Sequence, residues 1–129
     1  MNYELKEGLK HRCKLIVVQH LTAKAIGSGD LPVLATPAMI ALMEKASMLA
    51  VAPSLAEGET TVGGYMECSH LKPTGMGDEV EAEATLTKID GKALHFEIAA
   101  YAGDKKIGEG HHIRYVVDRE RFLAKLQAY

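Results

Sequence analysis

Cysteine is scarce in this chain, with Cys13 and Cys68 its only two. They provide neither a disulfide framework nor the spacing of a metal site, which points to free thiols in a reducing compartment. Long apolar runs are also missing. No stretch approaches the ~20 residues of a membrane span, and the longest is broken by Glu44 and Lys45. The first residues show no basic-then-apolar leader, so a cytoplasmic location is expected. Nor is there a surplus of one charge: the net charge is -2, with both signs spread along the chain. Nucleic acid demands a basic footprint that this sequence lacks. The expectation is therefore a protein without nucleic-acid, membrane or metal partners. Repeats, low-complexity tracts and long linkers are absent too.

What remains is globular material. The 129 residues suit a single domain spanning 1–129. Apolar residues at 47% can bury a core, and charged residues at 25% argue against disorder.

Residues 9–20 carry Leu15-Ile16-Val17-Val18, β-branched enough for a first strand. A flexible turn follows at Gly27-Ser28-Gly29-Asp30. Residues 36–52 form the clearest helix. Thr36 suits the N-cap and Pro37 the first helical position, where its missing N–H costs nothing. Apolar residues occupy nearly all sides from Ala38 to Val51, which predicts an enclosed helix ended by Pro53. From about residue 59 the pattern changes to strands. Val80, Ala82, Ala84 and Leu86 alternate with Glu79, Glu81, Glu83, Thr85 and Thr87, the period of a sheet with one wet face. Asp90-Gly91 marks a tight hairpin, and Leu94, Phe96, Ile98 and Ala100 form the next apolar face. After a turn at Gly103-Asp104, a last strand runs from about Lys106 to Val117. A short helix then opens at Asp118 and buries Phe122 and Leu126. One early helix followed by an antiparallel meander is most economically enclosed by wrapping the sheet around it. That predicts an α+β hotdog fold. Its open edges and uncovered helix surface predict at least a homodimer.

Three residues stand out chemically. Glu44 sits mid-helix among Ile40, Ala41, Met43 and Met48. Buried there, its carboxyl pKa would rise toward that of a general base; alternatively, Glu44 and Lys45 form a narrow solvated stripe. His70 precedes a turn-rich segment, Leu71 to Asp78, and a lone histidine there is either structural or functional. Thr36 is either a cap or part of a helix N-terminus whose amides hold a thioester oxygen as it becomes an oxyanion. Cys68, two residues before His70, could pair with it as a nucleophile. His111 and His112 point to opposite strand faces and cannot chelate one metal together.

Leu34-Ala35-Thr36-Pro37-Ala38-Met39-Ile40-Ala41-Leu42-Met43-Glu44 resembles the central-helix motif of the fluoroacetyl-CoA thioesterase-like family of the hotdog superfamily. Gly58-Glu59, Thr61-Val62-Gly63 and Ser69-His70 resemble that family's next strand, and Ile107-Gly108-Glu109-Gly110-His111-His112-Ile113-Arg114 its last. The match runs without a gap from about Thr36 to Arg114. The resemblance implies catalytic roles for Thr36, Glu44 and His70, and substrate contacts near the acyl α-carbon for Gly63 and Arg114. It implies hydrolysis of an acyl-CoA to free acid and CoA, with no cofactor. The namesake carries a longer, Phe-bearing lid before its Thr. Here Gly29-Asp30-Leu31-Pro32-Val33-Leu34 has no aromatic residue, which sets the expectation at a short or medium acyl-CoA rather than fluoroacetyl-CoA. A hotdog hydratase or dehydratase, or a non-catalytic acyl-CoA or small-ligand binding domain, are the alternatives.

Thr36 and Glu44 are eight residues apart, a rise of about 12 Å along one helix. They cannot share a hydrogen bond within one chain. Either the substrate spans that gap, or the site is assembled from two subunits with Glu44 and Thr36 from opposite chains; the second agrees with the expected dimer.

Overall fold

The computed structural model describes residues 4–127. Strand β1 (Lys10–Ile16) is followed by a single 3-10 turn, Gln19–Leu21, and one turn of helix, α1 (Ala23–Ile26). The long helix α2 (Thr36–Val51) comes next, then strands β2 (Glu59–His70), β3 (Glu79–Asp90), β4 (Ala93–Ala102) and β5 (Lys105–Asp118), and helix α3 (Arg119–Gln127). All strand pairings are antiparallel, and the sheet order is β1-β3-β4-β5-β2. β2 therefore crosses the molecule after the helix and pairs with the last strand, at the edge opposite β1. This is the predicted hotdog arrangement.

The inward residues of the hairpin strands are those the alternation marked. Val80, Ala82, Ala84, Leu86, Leu94 and Ala100 are fully buried, with Phe96 and Ile98 nearly so. Against them α2 sets Ala38, Met39, Leu42, Met43, Ala46, Ser47, Ala50 and Val51. On the outer face, Lys10, Arg12 and Lys14 of β1 form ion pairs with Glu79, Glu81 and Glu83 of β3. These exposed pairs contribute little each but discourage edge-to-edge pairing along β1.

The helix approaches β5 closely at Gly108. A Cβ there would lie 2.6 Å from Met39 Sδ and 3.1 Å from Met43 Cε. A side chain at that point would push the ends of the Met39 and Met43 side chains aside.

Several local expectations change. The first strand is shorter than 9–20, because Gln19–Leu21 turns to lead into α1. α2 is not enclosed on all sides: Pro37, Ala41, Lys45 and Met48 form an exposed stripe, since the sheet of one chain covers only one face. In α3 no residue is fully buried. Phe122 is half-covered and Leu126 is exposed, because the helix extends past the end of β5 rather than lying on the sheet. Its start is as predicted, with Asp118 Oδ1 accepting from Arg121 N at 2.9 Å. No helix among the described residues is long and apolar enough to cross a membrane.

Candidate active site

The start of α2 differs from the sequence reading in a way that matters for chemistry. Ala35, with extended backbone, occupies the N-cap position and makes no side-chain cap bond. Thr36 is the first helical residue and Pro37 the second. The Thr36 hydroxyl is thus not engaged in capping. It lies 2.7 Å from His70 Nδ1 at the end of β2. The first-turn amides are also mostly committed: Ala38 N and Met39 N both donate to the Ala35 carbonyl, and proline has no N–H. Only the Thr36 amide of that turn makes no backbone hydrogen bond among the described residues. An oxyanion held here has one helix donor to use, not a ring of them.

Burial pushes the His70 pKa below the ordinary histidine value, while the Lys72 backbone pulls the other way. The neutral ring is favoured near pH 7. A neutral ring with its lone pair on Nδ1 can accept the Thr36 proton, the geometry of a hydroxyl activated by a base. A cavity of about 350 Å³ opens over this pair, lined by Ala23, Ser28, Val33, Leu34, Leu71 and Pro73 in addition to Thr36 and His70. The segment ahead of Thr36 is pinned rather than free. Ala23 N donates to Val33 O, Leu34 N to Thr74 O and Ala35 N to Leu21 O, at 2.8–2.9 Å.

The Cys68–His70 pair does not form. His70 bonds Thr36 instead, and burial pushes the Cys68 thiol pKa up, away from the nucleophilic thiolate.

Glu44, Gly63 and Arg114 meet elsewhere. Glu44 Oε2 lies 3.9 Å from Arg114 Nη1, and the Glu44 side chain is 41% exposed. Of the two readings of Glu44, the solvated stripe shared with Lys45 holds and the buried carboxylate does not. Glu44 borders the exposed stripe of α2 together with Ala41 and Met48, while Met43 points to the buried side. Arg114 is buried, donating from Nε to Thr61 Oγ1 at 2.8 Å and from Nη2 to Thr61 O at 2.9 Å. Burial lowers its pKa from the ordinary arginine value, and the Glu44 charge opposes that. Gly63, lacking a side chain, lets these groups close in around it. A Cβ at position 63 would lie 3.1 Å from Glu44 Oε2, 3.3 Å from His112 Cε1 and 3.6 Å from Arg114 Nη1.

A bulge in β2 sets this arrangement. Gly63 pairs with Arg114 and Tyr65 with Ile113, so Gly64 is an extra residue. Its removal from the alternation shifts the phase of the strand. Thr61 and Gly63 face inward before it, and Met66, Cys68 and His70 after it. Bulges re-aim side chains in this way beside functional sites.

The five predicted residues therefore form two groups in one chain, Thr36 with His70 and Glu44 with Gly63 and Arg114. No hydrogen bond or ion pair among the described residues joins them. His112 and Thr61, which the sequence reading did not propose, belong to the second group. The available signal was that His112 is in phase with Arg114 on β5. A separate hollow of about 540 Å³ on the outer sheet face, lined by Glu67, Thr85, Glu97 and His111 among others, contains none of the predicted residues.

Comparison with known proteins places this geometry. The family model described as fluoroacetyl-CoA-specific thioesterase matches residues 17–120. A fluoroacetyl-CoA thioesterase of Streptantibioticus cattleyicolor is 35% identical over 111 residues, covering 85% of this chain and 80% of that protein. The solved structure of the fluoroacetyl-CoA thioesterase FlK matches with a TM-score of 0.90 at 30% identity, over 98% of each chain. A thioesterase superfamily member from Thermus thermophilus matches with a TM-score of 0.88 at 27% identity, over 95% of this chain and 91% of that one. With its sheet wrapped around one central helix and these matches spanning most of its length, the chain belongs to the fluoroacetyl-CoA-specific thioesterase family of hotdog-fold hydrolases.

Proposed function

We propose that the protein hydrolyses short or medium acyl-CoA thioesters at sites shared between two subunits of a homodimer. The observation that carries this reading is the Thr36 Oγ1–His70 Nδ1 contact of 2.7 Å. It is a hydroxyl–imidazole pair at a cavity, freed from capping duty, inside the segment that matches the thioesterase family.

Two features support the shared site. β2 is an edge strand of 12 residues whose outer side pairs with no strand among the described residues, and α2 packs chiefly on β3 and β1, leaving an exposed stripe beside the β2 side. If two β2 strands pair antiparallel about a two-fold axis, strand direction reverses across the axis. The His70 end of one chain then lies beside the Gly63 end of its partner. Such pairing brings the Thr36–His70 group of one subunit toward Glu44, Gly63 and Arg114 of the other, which resolves the 12 Å rise between Thr36 and Glu44.

In the proposed reaction His70 takes the proton of the Thr36 hydroxyl as Oγ attacks the thioester carbonyl. The Thr36 amide faces the developing oxyanion, and the CoA thiolate leaves with the proton returned by His70. Glu44 of the other subunit then draws a proton from water as it attacks the acyl-Thr ester, and that proton passes to the departing Thr36 oxygen, giving free acid and regenerating the hydroxyl. Gly63 leaves room for the acyl group, and Arg114 sets the charge around it. The pinned segment before Thr36 contains no aromatic side chain, which is why the acyl specificity is placed at short or medium chains rather than fluoroacetyl.

The test is a thiol-release screen over acyl-CoA chain lengths, with Glu44→Gln as control. Thiol release by the wild type, and a drop of about 10²-fold or more in Glu44→Gln, is the expected result. Near-normal hydrolysis by Glu44→Gln removes the assigned role. Consumption of an enoyl-CoA without release of thiol identifies a hydratase instead.

A further inference from the structure

β5 sends Gly110, His112, Arg114 and Val116 to the inner side of the sheet in strict alternation. Among them His112 is 1% exposed, an unusual place for an imidazole unless both ring nitrogens are satisfied. They are. Nδ1 lies 2.8 Å from the Tyr65 carbonyl, which can only accept, so Nδ1 carries the hydrogen. Nε2 lies 3.2 Å from Arg114 Nη1, which can only donate, so Nε2 carries the lone pair. The two partners together permit one tautomer and no imidazolium.

The Tyr65 carbonyl reaches His112 because of the Gly64 bulge. Tyr65 lies directly after the extra residue, where the strand bends. The bulge thus fixes the imidazole, the imidazole takes one hydrogen of Arg114 Nη1, and the same nitrogen lies 3.9 Å from Glu44 Oε2. Thr61 holds the other side of the guanidinium through Nε and Nη2. We propose that His112 is a positioning residue that, as the neutral Nδ1–H tautomer, locks the Arg114 guanidinium in the plane that faces Glu44 beside Gly63. This deepens the thioesterase reading and rests on it for its kinetic consequence. Thr61 alone would leave Nη1 free to tilt about the Nε–Nη2 edge. With His112 present, three separate acceptors define the plane, and guanidinium geometry is rigid once its donors are fixed.

The local charges agree with the tautomer. Burial lowers the His112 pKa most, with the Arg114 charge adding to it. The Tyr65 bond and the Glu44 charge oppose them. Phe96, whose ring centroid is 6.3 Å away in a tilted arrangement, fills the remaining side.

Two measurements test the proposal. Long-range ¹H–¹⁵N spectra of the histidine rings at pH 7 report the tautomer whether or not the protein turns over substrate. A neutral His112 ring with its hydrogen on Nδ1 supports the proposal, and the Nε2–H tautomer or an imidazolium overturns it. Kinetics supply the second readout. His112→Phe preserves shape and removes both ring nitrogens, whereas His112→Gln restores one donor and one acceptor. In thiol release, His112→Phe is expected to lose at least about tenfold in kcat with KM changed less than about threefold, and His112→Gln to recover most of the loss. Wild-type kcat in a cooperatively folded His112→Phe overturns the proposal, as does His112→Gln falling as far as His112→Phe. If His112→Phe does not fold, the tautomer and His112→Gln decide. A wild type that releases no thiol from any acyl-CoA overturns the thioesterase reading alone, and the ring spectra still decide the positioning.

Discussion

Gly63→Ala separates stability from catalysis in this protein, because the structure predicts opposite outcomes for the two. The new methyl would lie 3.1 Å from Glu44 Oε2 and 3.3 Å from His112 Cε1. Both contacts are tight, but the first is with the free end of a side chain that is 41% exposed. The carboxylate can retreat by a few tenths of an ångström into solvent. Overpacking of a rigid core costs roughly 1–3 kcal/mol, and the yielding carboxylate should keep the cost at the lower end. Replacing glycine inside a strand returns about 0.5–1 kcal/mol through lost chain entropy in the unfolded state. The net change in stability should lie within about 1 kcal/mol, a shift of roughly 4 °C or less in melting temperature for a chain of this size. Turnover should respond quite differently. Displacing a reacting group by about 1 Å can cost ~10²-fold; here the methyl moves Glu44 by less, and also comes within 3.6 Å of Arg114 Nη1. We expect kcat/KM for acyl-CoA hydrolysis to fall between tenfold and a hundredfold, with the greater loss on longer acyl groups. Thermal melts alongside thiol-release kinetics on the same preparation are the assay. Wild-type kcat/KM across all chain lengths would refute the placement of substrate at Gly63. A melting temperature lowered by much more than 4 °C would refute the claim that Glu44 yields.

Two further predictions follow from the other half of the site. Thr36→Ala should leave stability within about 1 kcal/mol, since Ala35 rather than Thr36 holds the cap position, yet it should lower kcat by ~10² or more through loss of the hydroxyl beside His70; comparing melts with turnover checks both halves, and a large stability loss would restore the capping role. For pH dependence, His70 and His112 both have pKa values lowered from 6.5 by burial. The unfolded chain therefore binds more protons than the folded one between the lowered and ordinary values, so stability is complete above about 6.5 and declines as pH falls through that range. Activity should follow the same sign, flat above about pH 6.5 and falling on the acid side as His70 protonates. A denaturant series and a kcat/KM profile between pH 5 and 8 test this, and a rise in either quantity on acidification would contradict it.

The elements legible in the sequence were those governed by local period. Val80 to Leu86 and Leu94 to Ala100 alternate without interruption, and the structure buries the expected set. Gly64 is where period failed. Strict alternation puts Gly63 and His70, an odd and an even position on one strand, on opposite faces. The bulge returns them to the same face, and a glycine pair alone does not announce a bulge. Glu44 left two readings open for a related reason. Its apolar neighbours in sequence, Met43 above all, are buried against the sheet, while Glu44 lies a third of a turn away on the helix rim. Sequence proximity alone did not choose the side of the cylinder. Thr36 was misplaced by one residue at the cap, an error small in position and large in consequence, because one residue decides whether the hydroxyl is occupied by the backbone or left for His70.

The order of the sheet was the other feature that local pattern could not supply, and it controls the chemistry most. A meander in sequence order would set β2 beside β3 and cover the inner face of β2 with the chain's own hairpins. Instead β2 pairs with β5 at the edge, so Gly63 and Arg114 become direct neighbours in register and the far side of β2 stays open. The first consequence builds the Glu44–Arg114–His112 group out of residues separated by most of the chain length. The second leaves Glu44, the half-exposed end of that group, toward the side where an antiparallel partner strand would bring a Thr36–His70 pair. A single edge position thus accounts for two features that look unrelated in one chain: a buried arginine network joined to Glu44 and His112 but not to Thr36 or His70, and a Thr36–His70 pair not joined to Glu44 among the described residues. Sedimentation or light scattering of the free protein distinguishes the outcomes directly. A monomer at assay concentrations with full thiol-release activity would show that the two groups act without each other, and the shared-site mechanism would fall with it.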